Sequence, residues 1–214
     1  MVADHLSEEE QIEAFKQWWV DNGLKLVAAA VIAIGGTLGW QGWQSSQQEH
    51  SEQGSAIYSA MINNLNTEAD QPLSDEKKQE IIASADQLKK DFSDTGYAHL
   101  SALLKAKLAV DADDFDQAAS ELQWVLNNNP ADDLELLATL RLARVEAAKG
   151  NTDEALALLE AKEAGKMTSA YEEAKGDFHI ILGHYEAAYT AYQAAIDTEE
   201  TGNSRQMSIL RLKQ

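Results

Sequence analysis

Cysteine is absent from the 214 residues, which excludes a disulfide framework, a thiolate nucleophile and a Cys-ligated zinc site. Proline occurs twice, as Pro72 and Pro130, and β-branched runs are almost confined to one stretch. With Ala, Leu, Glu, Gln and Lys abundant, little opposes helix anywhere, and the fold class read from this is all-α. Basic residues are scarce: 17 Lys and Arg stand against 36 Asp and Glu, a net charge of −19. Such a balance excludes nucleic acid as a partner, whose phosphates need Lys and Arg, and opposes a domain lying flat on anionic lipid. Long apolar runs are missing too, with one exception. At 44% hydrophobic the chain can still build a core, and its length suits one domain plus an extra segment.

The exception is residues 24–40, LKLVAAAVIAIGGTLGW, whose one charge is Lys25. The run is slightly short for a bilayer, and its flanks decide the reading. Trp18 and Trp19 precede it, and Trp40 and Trp43 close it. A helix from Trp19 to Trp40 rises about 31 Å at ~1.5 Å per residue, close to the hydrocarbon thickness, so the tryptophans form two aromatic belts. Lys25 is near enough to one end to snorkel toward the headgroups. A buried core helix would not combine Gly35, Gly36 and Gly39 with tryptophans at both ends. A cleavable signal peptide would need a short basic leader, whereas this leader carries Asp4, Glu8, Glu9, Glu10, Glu13 and Asp21. An uncleaved anchor follows, dividing the chain into a tail (1–22), a transmembrane helix (23–43) and a helical domain (44–214). Lys16 and Lys25 lie on the N-terminal side and no Lys or Arg follows until Lys77. The expected orientation is therefore single-pass type II, N-terminus cytoplasmic, and in a bacterium the domain is periplasmic. Ala29, Ala33, Gly35 and Gly39 form a small-residue stripe on which another membrane helix could pack, although glycine is common in membrane helices generally.

Beyond the anchor, three segments share a pattern. Phe115, Ala118 and Leu122 close with Pro130; Gly150, Thr152, Ala155 and Leu159 follow; then come Gly183, Tyr185, Ala188, Tyr192 and Ala195. The central alanines are 37 and 33 residues apart, bracketing the 34-residue tetratricopeptide period. Each unit is a pair of antiparallel helices, with the small Ala letting the second pack closely on the first. Gly150 and Gly183 sit where a positive φ is useful, and Asp114, Asp116, Asp153 and Glu154 complement helix starts. First helices are expected over 97–110, 134–149 and 169–182, and second helices over 115–127, 152–164 and 185–198. Two further helices, 44–65 and 74–92, form an N-terminal pair, and a capping helix covers 204–213, with Met207, Ile209, Leu210 and Leu212. The architecture is one N-terminal transmembrane helix followed by a tetratricopeptide-like α-solenoid.

No catalytic or metal constellation emerges, so no enzyme activity and no cofactor are expected. His5, His50, His99, His179 and His184 lack metal-ligand spacing and read as surface or loop residues. Asp111, Asp113 and Asp114 lack the downstream Gly and Glu of a calcium loop. Binding remains. A candidate groove on the first helices takes in Leu100, Leu103, Lys107, Leu137, Leu140 and Arg144, with Lys107 and Arg144 at equivalent places in successive repeats. The segment 44–214 holds 30 acidic and 15 basic side chains, so paired cations in an apolar groove suit a peptide carboxylate or acidic segment; ordinary surface cations are the plainer alternative.

The stretches QIEAFKQWWVDNG before the span, GTLGWQGWQ at its exit and TLRLARVEAAKG in the central repeat make the chain resemble the YfgM family, the ancillary subunits of the bacterial Sec translocon. The resemblance covers essentially the whole chain. It implies association with the SecYEG channel and with PpiD, a membrane-anchored periplasmic chaperone of the prolyl isomerase type. It also implies a role in passing newly translocated, unfolded polypeptides to periplasmic chaperones, and it brings no catalytic residue. The alternative is an envelope-stress regulator whose cytoplasmic tail binds a signalling protein.

Overall fold

The computed structural model describes residues 8–65, 73–198 and Lys213. Among them the ordered elements are helical throughout: α1 (Glu8–Leu65), α2 (Asp75–Asp91), α3 (Gly96–Asp111), α4 (Phe115–Asn127), α5 (Asp132–Ala148), α6 (Thr152–Glu160), a 3-10 turn (Gly165–Met167), α7 (Thr168–Ile181) and α8 (Tyr185–Thr198). The capping helix expected over 204–213 lies outside the described residues, except for Lys213. The chain separates into two units, Met1–His50 and Ser51–Gln214.

In the second unit the repeat pattern becomes three consecutive helix pairs, α3/α4, α5/α6 and α7/α8. Each pair turns in the same way. At the first turn the N–H of Asp113 donates to Val110 O (3.0 Å) and that of Asp114 to Ala109 O (2.9 Å). Gly150 and Asn151 repeat these bonds on Ala147 and Glu146, and Gly183 and His184 on Ile180 and His179. These are Schellman turns, which require one residue in the left-handed region. Gly150 (φ 93°) and Gly183 (φ 76°) supply it where expected, and Asp113 (φ 57°) supplies it in the first repeat. The residues right after each turn, Phe115, Thr152 and Tyr185, begin the second helices.

The central alanines do what the repeat requires: Ala118, Ala155 and Ala188 are each 1% exposed or less. Ala118, Leu122 and Val125 of α4 pack with Ala102, Ala106, Ala138 and Leu142 of the flanking first helices. The next core joins α5, α6 and α7 through Leu140, Ala155, Leu159, Tyr171 and Phe178. There the fully buried Tyr171 donates its O–H to Leu136 O at 2.9 Å, tying one repeat to the next. The end of α1 pairs with α2 through Met61, Ile81 and Ala85, giving the expected N-terminal helix pair.

Three details differ from the sequence expectation. The anchor helix and the helix of 44–65 are one continuous α1, because between Trp43 and Leu65 no proline interrupts the helical hydrogen bonds. Helix α6 ends at Glu160 rather than reaching 164: the chain turns through Gly165 (φ 50°) into α7, so packing overrides the helix propensity of Ala161–Ala164. His99 is a core residue, 5% exposed, with its Nε2 2.9 Å from Asn128 O and its ring against Trp124.

Candidate functional site

The first unit presents its apolar side chains outward. Val27, Val31, Ile32, Ile34 and Leu38 are all exposed, as are Trp18, Trp19, Trp40 and Trp43. Ordinary core helices bury such residues; a helix solvated by lipid has no reason to. Among the described residues this is the one helix long and apolar enough to cross a membrane. Its tryptophans gather at two levels: Phe15 stacks on Trp18 and Trp19 at 6.1 and 6.3 Å, and Trp40 meets Trp43 at 5.1 Å. Lys25 is exposed, a little under two turns inside the first cluster. Around Gly35, Gly36 and Gly39 nothing lies within 4 Å of where a Cβ would stand, and Ala29 and Ala33 are exposed on the same helix, so this small-residue face is open.

In the second unit a cleft of about 360 Å³ opens between α3, α4 and α5. Ala106, Lys107 and Val110 line it from α3, and Phe115 and Leu122 from α4. From α5 come Arg141, Arg144, Val145 and Ala148. Lys107 and Arg144, chosen from equivalent repeat positions, thus meet at one site. Leu100, Leu103, Leu137 and Leu140 do not line it. Leu103 and Leu140 are each 3% exposed and belong to the cores, while Leu100 and Leu137 pack half-buried against the first core. The physical reason is helical phase: one residue turns a side chain by about 100°, enough to move it from a groove wall to the interior. Arg141 was missed, although it lies three residues before Arg144 on the same helix face.

The charges here are organised differently from those elsewhere in the domain. Glu121, 2% exposed, accepts hydrogen bonds from Lys89 (2.5 Å), Lys105 (2.8 Å) and Gln117 (2.7 Å). Lys105 also reaches Asp86 at 2.6 Å; burial works against its ammonium, but these carboxylates outweigh it and raise its pKa. Lys149 pairs with Asp116 and Glu146, and Lys162 with Glu135. At the cleft Lys107 pairs with Asp111 at 2.6 Å. Among the described residues no carboxylate pairs with Arg141 or Arg144. Partial burial lowers the pKa of Arg141, and the neighbouring charge of Arg144 adds to the effect.

His179 and His184 approach at 5.9 Å between ring centroids near the α7–α8 turn, and among the described residues no group of three or more His, Asp or Glu side chains is arranged to hold a metal ion.

The family model for a tetratricopeptide repeat-like domain matches residues 16–214, from before the span through the last repeat. Three curated proteins named ancillary SecYEG translocon subunit align along almost their whole length. The one from Aggregatibacter actinomycetemcomitans is 30% identical over 208 residues, 97% of this chain and 96% of its own. The Haemophilus influenzae protein is 28% identical over 212 residues, covering 99% and 98%, and the Escherichia coli K12 protein 24% identical over 206 residues, covering 96% and 95%. No solved structure matches the chain significantly. An apolar N-terminal helix, three helix pairs closed by equivalent turns and full-length similarity together place the chain in the tetratricopeptide repeat-like family of ancillary SecYEG translocon subunits, the YfgM family.

Proposed function

We infer that this protein is a membrane-tethered adaptor at the Sec translocon, whose repeat domain binds protein on the far side of the inner membrane and helps pass newly translocated polypeptides to periplasmic chaperones. The observation that carries the reading is full-length similarity to translocon subunits running through both the apolar helix and the repeats. Anchor and repeat domain belong to one inherited arrangement, so tethering is part of the function. Lys16 and Lys25 before the span, with no Lys or Arg after it until Lys77, support a cytoplasmic N-terminus. The exposed small-residue face around Gly35 and Gly39 supports a helix-to-helix contact in the membrane. No step of covalent chemistry is assigned: the domain works by recognition.

The test is co-purification of the tagged full chain from membranes in a mild detergent. SecY and a PpiD-like membrane-anchored chaperone are the expected companions. Recovery of neither, with the chain itself folded and membrane-bound, would overturn the reading.

A further inference from the structure

We propose that the cleft between α3, α4 and α5 binds a protein segment in which an acidic side chain stands beside a large apolar one, with Arg141 and Arg144 holding the carboxylate. The proposal deepens the reading of this domain as a protein-binding module and rests on it.

The charge pattern comes first. From residue 44 onward acidic side chains outnumber basic ones by 30 to 15, so carboxylate partners are abundant, and the lysines around the cleft use them. Arg141 and Arg144 are the arginines among the described residues, and both stand at this cleft without a carboxylate from them. Leaving two guanidiniums together costs mutual repulsion, and Arg144 is indeed felt at Arg141. An incoming carboxylate would relieve that repulsion and accept the planar fork of donors that arginine offers. Apolar walls come second. Val110, Phe115, Leu122 and Val145 give a floor that an acid alone would not use, and about 360 Å³ accommodates one or two large side chains. Low-dielectric walls also strengthen the charge contact.

A protein segment fits this chemistry better than a lipid phosphate. The surrounding domain, net −15, is repelled by an anionic membrane surface, whereas a short acidic segment is drawn to the local field of the cleft. Main-chain extension of the segment would then place an apolar neighbour on Phe115 and Val110 while its carboxylate meets α5.

The test uses the full chain in nanodiscs of zwitterionic lipid and a fluorescein-labelled peptide of alternating Glu and Leu, read by fluorescence anisotropy. Twins replace Glu by Gln, or Leu by Ser. Saturable binding of the Glu–Leu peptide, weakened roughly ten- to hundredfold by the paired change Arg141→Gln and Arg144→Gln, is expected. Both twins should bind more weakly than the parent, and Arg141→Lys with Arg144→Lys should restore part of the affinity. The arginines are exposed, so far-UV circular dichroism and melting of the variants should match the parent. Equal binding of the Gln twin, an affinity unchanged in the Gln variants, or no saturable binding at about 1 mM peptide would each overturn the proposal. So would vesicles of anionic lipid displacing the peptide through the same arginines. Co-purification with SecY tests the adaptor reading separately: its persistence without peptide binding removes only the inference drawn at the cleft.

Discussion

Gly176 offers a sharp test of how the last helix pair is packed. It lies inside α7, where glycine is intrinsically poor, and a Cβ there would stand 2.4, 2.5 and 2.8 Å from Cε1, Cδ1 and Cζ of Tyr192 on α8. Ordinary contact begins near 3.4 Å, so Gly176→Ala must push the ring away by about 1 Å. The ring cannot yield freely. Tyr192 is 3% exposed and donates its O–H to Asp177 at 2.8 Å, and Asp177 in turn accepts from Lys213 at 2.9 and 3.0 Å. Overpacking of this kind costs about 1–3 kcal/mol, and losing the hydroxyl bond adds about 1 kcal/mol. Alanine's better helix propensity returns about 1 kcal/mol. The net expectation is a destabilisation of about 1–3 kcal/mol, read as a lower urea midpoint by far-UV circular dichroism. A second background isolates the cause. With Tyr192→Ala already present, the clash is gone and Gly176→Ala should be neutral or stabilising by up to about 1 kcal/mol, a coupling that a double-mutant cycle measures directly. Stabilisation by Gly176→Ala alone, or the same effect in both backgrounds, would refute the claim that glycine is required for this close approach.

Three more outcomes follow from the same geometry. Glu121→Ala leaves Lys89 and Lys105 without their shared, buried carboxylate and should cost about 3 kcal/mol in urea unfolding; an unchanged midpoint would show that the network is not a net contributor. Tyr192 has its pKa raised by burial, then by Asp177, and Tyr171 by burial; Lys105 and Lys213 are raised because their carboxylate partners outweigh burial. A raised folded-state pKa stabilises below the unfolded value and is lost as pH climbs through the folded one, so melting temperatures should hold near neutrality and fall above about pH 10. Melting temperatures constant up to about pH 11 would contradict this. Because the chain has no cysteine, single variants report topology cleanly: in intact spheroplasts a membrane-impermeant maleimide should label Asp94→Cys and spare Glu10→Cys, and the reverse pattern would invert the assigned orientation.

Much of the repeat domain was legible because its turns announce themselves. Phe115–Asn127 and Tyr185–Thr198 form the helices expected of them, since each begins after a Schellman turn whose left-handed position Gly183, or Asp113 in the first repeat, can occupy. The small residue at the close approach was only half visible. Ala188 marks α8, but its counterpart Gly176 carries no signal in the sequence pattern, and the ring of Tyr192 against it explains it. Helical phase decides which groove candidates reach the cleft: Lys107 and Arg144 line it, Leu103 and Leu140 belong to the interior, and Arg141, which the repeat spacing does not single out, lines it too. His99 was misread for want of its partners, Asn128 and Trp124, which approach only through folding. The join at Trp43 had no local signal at all, because a helix continues wherever nothing breaks it.

The central claim is that a repeat domain tethered by α1 works beside the Sec channel. Photo-crosslinking in intact membranes tests it most directly, with benzoylphenylalanine placed at Ala33 and Gly39 on the span and at Val110 and Ala148, which line the cleft on the first helices of the repeats. The account predicts adducts to channel or chaperone subunits from the span, and adducts to chaperone or translocating polypeptide from the repeats. Crosslinks to lipid alone from the span, together with none to any translocon component from the repeats, would contradict it.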